Sequence, residues 1–255
     1  MDRLGRGKFQ GVTNIVRFNW QYYVLAFTTL AVLFSLQRFL PGSLWIVWVV
    51  VLVGTVLGIL VSLFVSWYIY DCSELYSLSW LEGVSKESEA NLANIHAGFD
   101  ETSRLILDKY PRSQLRVFDF YDKTIHTEVS IERARKAYPP FPGTIAISTR
   151  DVPLKTDSTD CIFLILAAHE IRNNRERIAF FKSLGNSLRS DGKIVVTEHL
   201  RDVFNFLAYN FGFFHFLSPN TWRQTFTGAG LNVKSERKVT PFITVYILSR
   251  NGTSS

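Results

Sequence analysis

The sequence predicts an α/β domain on a mainly parallel sheet, carried behind two membrane-spanning helices. Two observations predict it. Before Tyr70 the chain is extremely apolar, and Leu44 to Tyr70 runs without one charged side chain. Beyond residue 90, short apolar runs alternate with amphipathic stretches, which is the pattern of βαβ units. The averages, 47% hydrophobic residues and a mean hydropathy of +0.10, blend these two compositions.

At about 1.5 Å per helical residue, the uncharged run crosses a hydrocarbon core of roughly 30 Å with tilt to spare. Trp45, Trp48, Trp67, Tyr68 and Tyr70 sit near its ends, where amphipathic rings favour the membrane interface. The preceding run, Tyr22 to Leu40, carries Thr28, Thr29, Ser35, Gln37 and Arg38 and is still long enough to cross, with Arg38 free to snorkel outward. Pro41-Gly42-Ser43 reads as a tight turn, so the two runs form a hairpin that returns the chain to its starting side. Arg3, Arg6, Lys8 and Arg17 precede the hairpin and only Asp2 opposes them, which predicts both termini and the folded domain on the cytoplasmic side. The region Phe39 to Gly42 lacks the small residues of a signal-peptidase site. This flank accounts for part of the formal charge of +6, leaving little reason to invoke nucleic acid. Cys72 and Cys161 lie far apart without metal-ligand spacing, as in a reducing compartment. The expected organisation is a basic cytoplasmic segment (1–20), a hairpin (21–70), an acidic and Ser-rich connector (71–90) and a folded domain (91–255).

Within that domain the expected elements follow in order. Leu92 to Ile95 is a strand, Glu101 to Tyr110 a helix and Gln114 to Phe120 a second strand. Ser130 to Tyr138 is a helix ended by Pro139, Pro140 and Pro142. Thr144 to Ser148 and Cys161 to Ala168 are further strands. Arg175 to Arg189 is an amphipathic helix stopped at Ser190-Asp191-Gly192, and Lys193 to Glu198 is the next strand. Leu231 to Arg237 and Ile243 to Leu248 form an antiparallel hairpin at the sheet edge. No internal repeat occurs, and nothing in the sequence fixes the oligomeric state.

Open parallel sheets bind ligands beyond the carboxyl ends of their strands, where strand order reverses. The exit of the first strand reads Asn94-Ile95-His96-Ala97-Gly98-Phe99-Asp100. Gly98 lets backbone approach a ligand closely, and the following helix offers free N–H groups. Asp119 ends the second strand about 20 residues later, the separation at which a carboxylate reaches ribose hydroxyls. A turn or helix-cap role for Asp119, with Asp122 as the competing carboxylate, stays open on these residues alone.

The order of elements from Asn91 to about Arg250 resembles the class I S-adenosylmethionine-dependent methyltransferases, in their type 11-like form. Val117-Phe118-Asp119-Phe120 with Ser130 to Arg135 looks like the family's second strand, acidic ribose ligand and helix. Val152-Pro153-Leu154 with Asp157 to Phe163 is similar to its "LP…D-x-S-F-D" approach to strand four. Leu184 to Val196, through Ser190-Asp191-Gly192, looks like its "L-x-P-G-G" turn into strand five. In the glycine loop His96 and Asp100 stand at the outer glycine positions, and Ala97-Gly98-Phe99-Asp100 is similar to the variant "GAGFD". The resemblance implies a Rossmann-like, seven-stranded sheet with helices on both faces. It implies S-adenosylmethionine held by His96, Ala97, Gly98, Phe99, Asp100, Asp119, Phe120, Ser148, Thr149 and Ala168, with Ser148 standing where many members carry an acidic residue near the adenine.

Methyl transfer needs positioning and a base for the acceptor's proton. His169, after strand four, is the expected catalytic base, although a histidine there can also satisfy a loop backbone. The aromatic segment Phe204 to Leu217 follows strand five, and it either walls a lipophilic acceptor site or packs against the core and hairpin. His199, Tyr209, Phe213 and His215 are the expected acceptor-side residues. No metal is expected: His169-Glu170-Ile171-Arg172-Asn173 begins like the zinc-protease H-E-x-x-H but ends in Asn. Tyr138-Pro139-Pro140-Phe141 lies before strand three, the wrong place for the N-P-P-Y of nucleic-acid methyltransferases. The expected activity is methylation, favouring oxygen, of a small lipophilic acceptor beside the bilayer. The alternative is a catalytically inactive binding or scaffold protein of the same fold. A nicotinamide-dependent reductase lacks its Tyr-x-x-x-Lys pair and its G-x-G-x-x-G spacing.

Overall fold

The computed structural model describes residues 6–39, 41–82, 89–126 and 128–252. Arg3, the end of the first apolar run at Leu40, and connector positions 83–88 lie outside the described residues.

The chain begins with an element that charge counting did not foresee. Helix α1 (Gln10–Phe18) is strongly amphipathic and buries Gly11, Asn14 and Phe18. Its own N-cap, Phe9, supplies no side-chain acceptor. The Asp71 carboxylate does so instead, accepting from the backbone N–H of Gly11 at 2.7 Å and of Val12 at 2.8 Å. A Cβ on Gly11 would lie 2.3 Å from the Tyr70 Cβ, so only glycine allows this approach.

Helices α2 (Trp20–Leu36) and α3 (Trp45–Trp67) follow, joined through short 3-10 turns. The helical segments Trp20–Phe39 and Gly42–Cys72 are long and apolar enough to cross a membrane, with mean hydropathies of 1.3 and 2.8 and almost no side chain buried by the rest of the protein. The Trp48 indole N–H donates to the Leu33 carbonyl across the pair at 2.9 Å. Beyond Trp67 the helix widens into a π-turn, Tyr68–Cys72, which carries Ile69 and Asp71 into the folded domain.

The domain alternates β1 (Asn91–His96), α4 (Ser103–Lys109), β2 (Gln114–Asp119), α5 (Val129–Ala137), β3 (Ile145–Ala146), β4 (Thr159–Ile165), α6 (Asn174–Ser187) and β5 (Leu188–His199). It closes with α7 (Val203–Tyr209), α8 (Pro219–Gly228), β6 (Leu231–Thr240) and β7 (Ile243–Arg250). The strands form one seven-stranded sheet in the order β3-β2-β1-β4-β5-β7-β6, with β7 antiparallel to both neighbours and the other pairs parallel. β4 is continuously apolar from Cys161 to Ile165 because a parallel strand is covered on both faces. One face packs Ile95, Phe118, Phe180, Phe181, Trp222 and Tyr246. On the other, Leu92, Ile106, Phe163 and Val195 meet Val65, Ile69, Leu75 and Leu78, so the end of α3 serves as one of the domain's covering elements.

Several elements differ from expectation: β4 runs from Thr159 to Ile165, leaving Ala168 in a 3-10 turn, β6 continues to Thr240, and β3 and β5 depart further. β3 shrinks from Thr144–Ser148 to two exposed residues, because an edge strand after three prolines has no core to define its length. β5 begins at Leu188, ahead of the expected Lys193, and its register with β4 shifts across Ser190-Asp191-Gly192.

Replacing Asp71 by Ala removes both acceptors of α1 and is expected to cost about 1–2 kcal/mol. Hydrogen exchange over residues 10–18 should rise in this variant while β4 and β5 keep their protection.

Candidate active site

β1 lies between β2 and β4, so strand order reverses at its carboxyl end. His96, the last residue of β1, stands in register with Asp119, the last of β2. Gly98 follows with φ +93°, and a Cβ there would sit 2.9 Å from Ile131 Cγ2 and 3.0 Å from Tyr121. Both backbone and space therefore require glycine at the bend. Its N–H donates to His96 Nδ1 at 3.2 Å. Burial lowers the pKa of His96, Arg135 adds to the effect, and Asp100 and Asp119 oppose it. The imidazole is thus neutral at pH 7 and carries its proton on Nε2.

Asp100 caps α4, its Oδ1 accepting from Thr102 N and Ser103 N, both at 2.9 Å. Asp100 Oδ2 and His96 Nε2 lie 4.0 Å apart, both buried and both without a hydrogen-bond partner among the described residues. They border a cavity of about 60 Å³ lined also by Gly98, Phe99, Arg135 and Tyr138. That volume holds a few waters. Asp119 is 6% exposed and accepts from Tyr121 N at 2.9 Å, while its other oxygen pairs with Arg135. Arg135 also rests on the Tyr121 ring.

α1 covers this cleft. Phe18 meets Phe99 edge-on at 5.8 Å and Tyr138 at 6.2 Å, and the Tyr138 hydroxyl donates to Asn14 at 2.9 Å. Arg133 donates to the Phe18 carbonyl at 2.6 Å and to Gln21. Arg6 and Tyr76 both reach Glu101, at 2.5 Å and 2.7 Å.

A second cluster stands beyond β4 and β5. A 3-10 turn, Ala168–Glu170, presents His169 and Glu170. His169 Nδ1 lies 2.7 Å from Glu198 Oε2, and its Nε2 lies 3.2 Å from Glu170 Oε1. Burial disfavours the imidazolium, but the two carboxylates outweigh it and raise the His169 pKa to about 10. His169 therefore takes up an acceptor's proton only after releasing its own. Burial likewise works against the Glu170 carboxylate, and the two histidines overcome it, holding its pKa well below the usual range. His215 joins from the far side, its Nε2 also 3.2 Å from Glu170 Oε1.

The remaining expected site residues separate into other surroundings. Phe120 and Ala168 belong to the core. Ser148 is exposed in a tight turn with Asp151, and Thr149 is buried and donates to Glu176. His199 is enclosed, with Nε2 2.9 Å from the Tyr70 hydroxyl, Nδ1 2.9 Å from Asn205 and its ring stacked on Phe216. Tyr209 lies edge-on to it at 5.4 Å. Phe213 packs with Phe206 and Phe214 near the surface. Arg135, Glu198 and the α1 side chains were not singled out from the sequence. The amphipathic pattern of Gln10–Phe18 is the signal that could have found the cover.

No protein-family model matches the sequence, and no curated protein matches it either. Solved structures do match. A chain from the complex between the Haloferax volcanii Trm112 methyltransferase activator and its methyltransferase partner aligns over 71% of this chain and 90% of its own, at TM-score 0.53 and 12% identity. The PH0226 protein from Pyrococcus horikoshii OT3 aligns over 70% and 90%, at TM-score 0.51 and 12% identity. The fold is the Rossmann-like methyltransferase fold. At these identities the likeness is one of fold, and the chemistry has to be argued from the residues.

Burial lowers the His199 pKa from 6.5 to about 4, with the Asn205 hydrogen bond opposing. Between those pH values the unfolded imidazole binds a proton that the folded one refuses, so stability falls as pH drops from 6.5 towards 4. The loss from this group is roughly 3 kcal/mol. Urea unfolding of the His199→Gln variant should show a correspondingly flatter decline over this range than the unmodified protein.

Proposed function

We propose that the chain is an S-adenosylmethionine-dependent methyltransferase, anchored in a membrane by the α2–α3 hairpin and acting on a small lipophilic acceptor, preferentially at oxygen. The observation that carries the reading is the meeting of the Gly98 bend with Asp119 at the switch point of this sheet. The residues fit the cofactor in kind. Asp119 would accept from its ribose hydroxyls, the Gly98 backbone would pass along it, and the unpartnered His96 Nε2 and Asp100 Oδ2 would face its amino-acid end. The bound cofactor supplies a methyl group on a sulfonium, an electrophile that needs orientation more than activation.

The chain's own residues do the rest. Arg135, with a side chain 39% exposed, can turn off Asp119 towards solvent without breaking the core. Phe18, Phe99 and Tyr138 shield the cleft from bulk water. His169, backed by Glu198, is proposed as the acceptor-side base. Val203, Phe204, Leu207, Phe211 and Phe214 are exposed on a segment that lies along α3, and Asn210 approaches Gly58 in the middle of that helix. This apolar surface continues that of the hairpin and supports an acceptor arriving from the bilayer, with His199, Tyr209, Phe213 and His215 on that side. The basic flank supports cytoplasmic termini and a cytoplasmic domain.

The Arg135–Asp119 pair and the 60 Å³ cavity favour a second reading, a catalytically inactive scaffold of the same fold at the membrane. Calorimetry on detergent-extracted full-length protein separates the two. The first reading expects S-adenosylmethionine to bind, Asp119→Asn to weaken it at least about tenfold and Arg135→Ala to strengthen it. A labelled-methyl assay on membrane extracts should then show transfer that His169→Ala abolishes. Absence of cofactor binding in both the unmodified protein and Arg135→Ala would leave the scaffold reading.

A further inference from the structure

The two histidines and the glutamate beyond β4 form an arrangement that hydrogen bonding explains poorly. His169 Nε2, Glu170 Oε1 and His215 Nε2 converge, all donor atoms lying within 4.8 Å of one another. Glu170 Oε1 stands 3.2 Å from each imidazole nitrogen. A charge-assisted N–H···O contact draws in to about 2.7–2.9 Å, and His169 does so on its other side, where Nδ1 meets Glu198 at 2.7 Å. Donors around a tetrahedral ion at about 2.0–2.1 Å are separated by about 3.3 Å. The observed spacing matches that edge.

A carboxylate stands at the outer nitrogen of each ring, although at His215 Nδ1 the Arg172 guanidinium also makes contact. Glu198, fully buried, takes His169 Nδ1 and also accepts from the His169 backbone N–H at 3.1 Å. Glu128 Oε1 lies 3.1 Å from His215 Nδ1. A carboxylate on the far nitrogen orients a ligand histidine and aims its other nitrogen at the ion. His215 is itself held in place by the chain around it. Leu200 bridges Leu217, and the Arg201 guanidinium donates to the carbonyls of Phe214 and Phe216.

We propose that His169 Nε2, the Glu170 carboxylate and His215 Nε2 bind one divalent transition-metal ion, leaving a fourth position open beside the acceptor side of the sheet. Two imidazoles and one carboxylate suit zinc and its first-row neighbours better than magnesium or calcium, which prefer all-oxygen shells. The sequence argued against a metal because Asn173 stands where H-E-x-x-H has its second histidine. In the fold Asn173 caps α6, accepting from Arg175 N and Glu176 N, and His215 brings the missing imidazole from 46 residues after His169. Arg172 competes with the ion: its guanidinium donates to the His215 carbonyl and lies against the ring, touching Nδ1 and standing 2.9 Å from Nε2. Arg172 is exposed and can swing outward. With the ion bound, His169 is a ligand and no longer a free base, so the open position would take water or an acceptor oxygen whose proton the ion makes more acidic, and the latter use rests on the methyltransferase reading.

The test uses the full-length protein in detergent, stripped with chelator and titrated with Co²⁺ alone. One equivalent should bind, with the intense visible absorption of low-coordinate cobalt, and Zn²⁺ should displace it. His215→Ala, a change at a partly exposed side chain, should lower Co²⁺ affinity at least tenfold and bleach the band, with the urea midpoint as the folding control. Glu198→Gln should weaken binding about 10–100-fold while the band persists at saturation. Arg172→Ala should tighten binding by removing the competing cation. No band at one equivalent, or a band unchanged in a folded His215→Ala variant, overturns the proposal. Because the titration contains neither S-adenosylmethionine nor acceptor, its failure leaves the methyltransferase reading standing, and failure of cofactor binding leaves the metal site standing.

Discussion

One carboxylate joins the three parts of this molecule. Asp71 is 3% exposed, sits where the second apolar helix enters the domain, and spends its oxygens on two backbone amides of α1. Without that acceptor the first turn of α1 would bury free N–H groups, a cost comparable to a lost hydrogen bond for each. With it, α1 lies across the Gly98 cleft, and Phe18 reaches Phe99 and Tyr138. The end of α3 meanwhile fills one face of the sheet through Val65 and Ile69. Hairpin, cover and sheet are therefore one packed unit.

The cleft and the histidine cluster solve different electrostatic problems on the same sheet. At the cleft, burial leaves His96 neutral, and the cation on Asp119 is an arginine of α5, so the carboxylate is paired and easily uncovered. At the cluster, three carboxylates surround two histidines, and the surplus of negative charge fixes positive charge between β4, β5 and the 210–217 segment. On the proposed methyltransferase reading, an acceptor that must lose a proton and a sulfonium that must be oriented ask for two such distinct environments.

Much of the domain was legible in the sequence, because a buried parallel strand has to be continuously apolar. Ile162 to Ile165 and Ile194 to Val196 declare themselves in that way, as does the uncharged run from Leu44. Gly98 and Asp119 were legible as a pair through their spacing, and the structure sets the β1 and β2 ends beside each other. Other features were hidden because their causes lie far away along the chain. The cap of α1 comes from Asp71, sixty residues on, so Gln10–Phe18 shows no local start signal. His215 meets Glu170 only because the chain folds back along β5 through the Leu200–Leu217 bridge. Arg135 stands among the other charges of its helix, and nothing in its neighbours announces the carboxylate it binds.

Asn19 alone separates α1 from α2. A joint of one residue leaves little slack, so lifting α1 from the cleft would either turn the backbone at Asn19 or tilt the apolar rod attached to it. Where the rod tilts, the work is done against whatever solvates it, and a medium that resists tilt holds α1 down more firmly than one that yields.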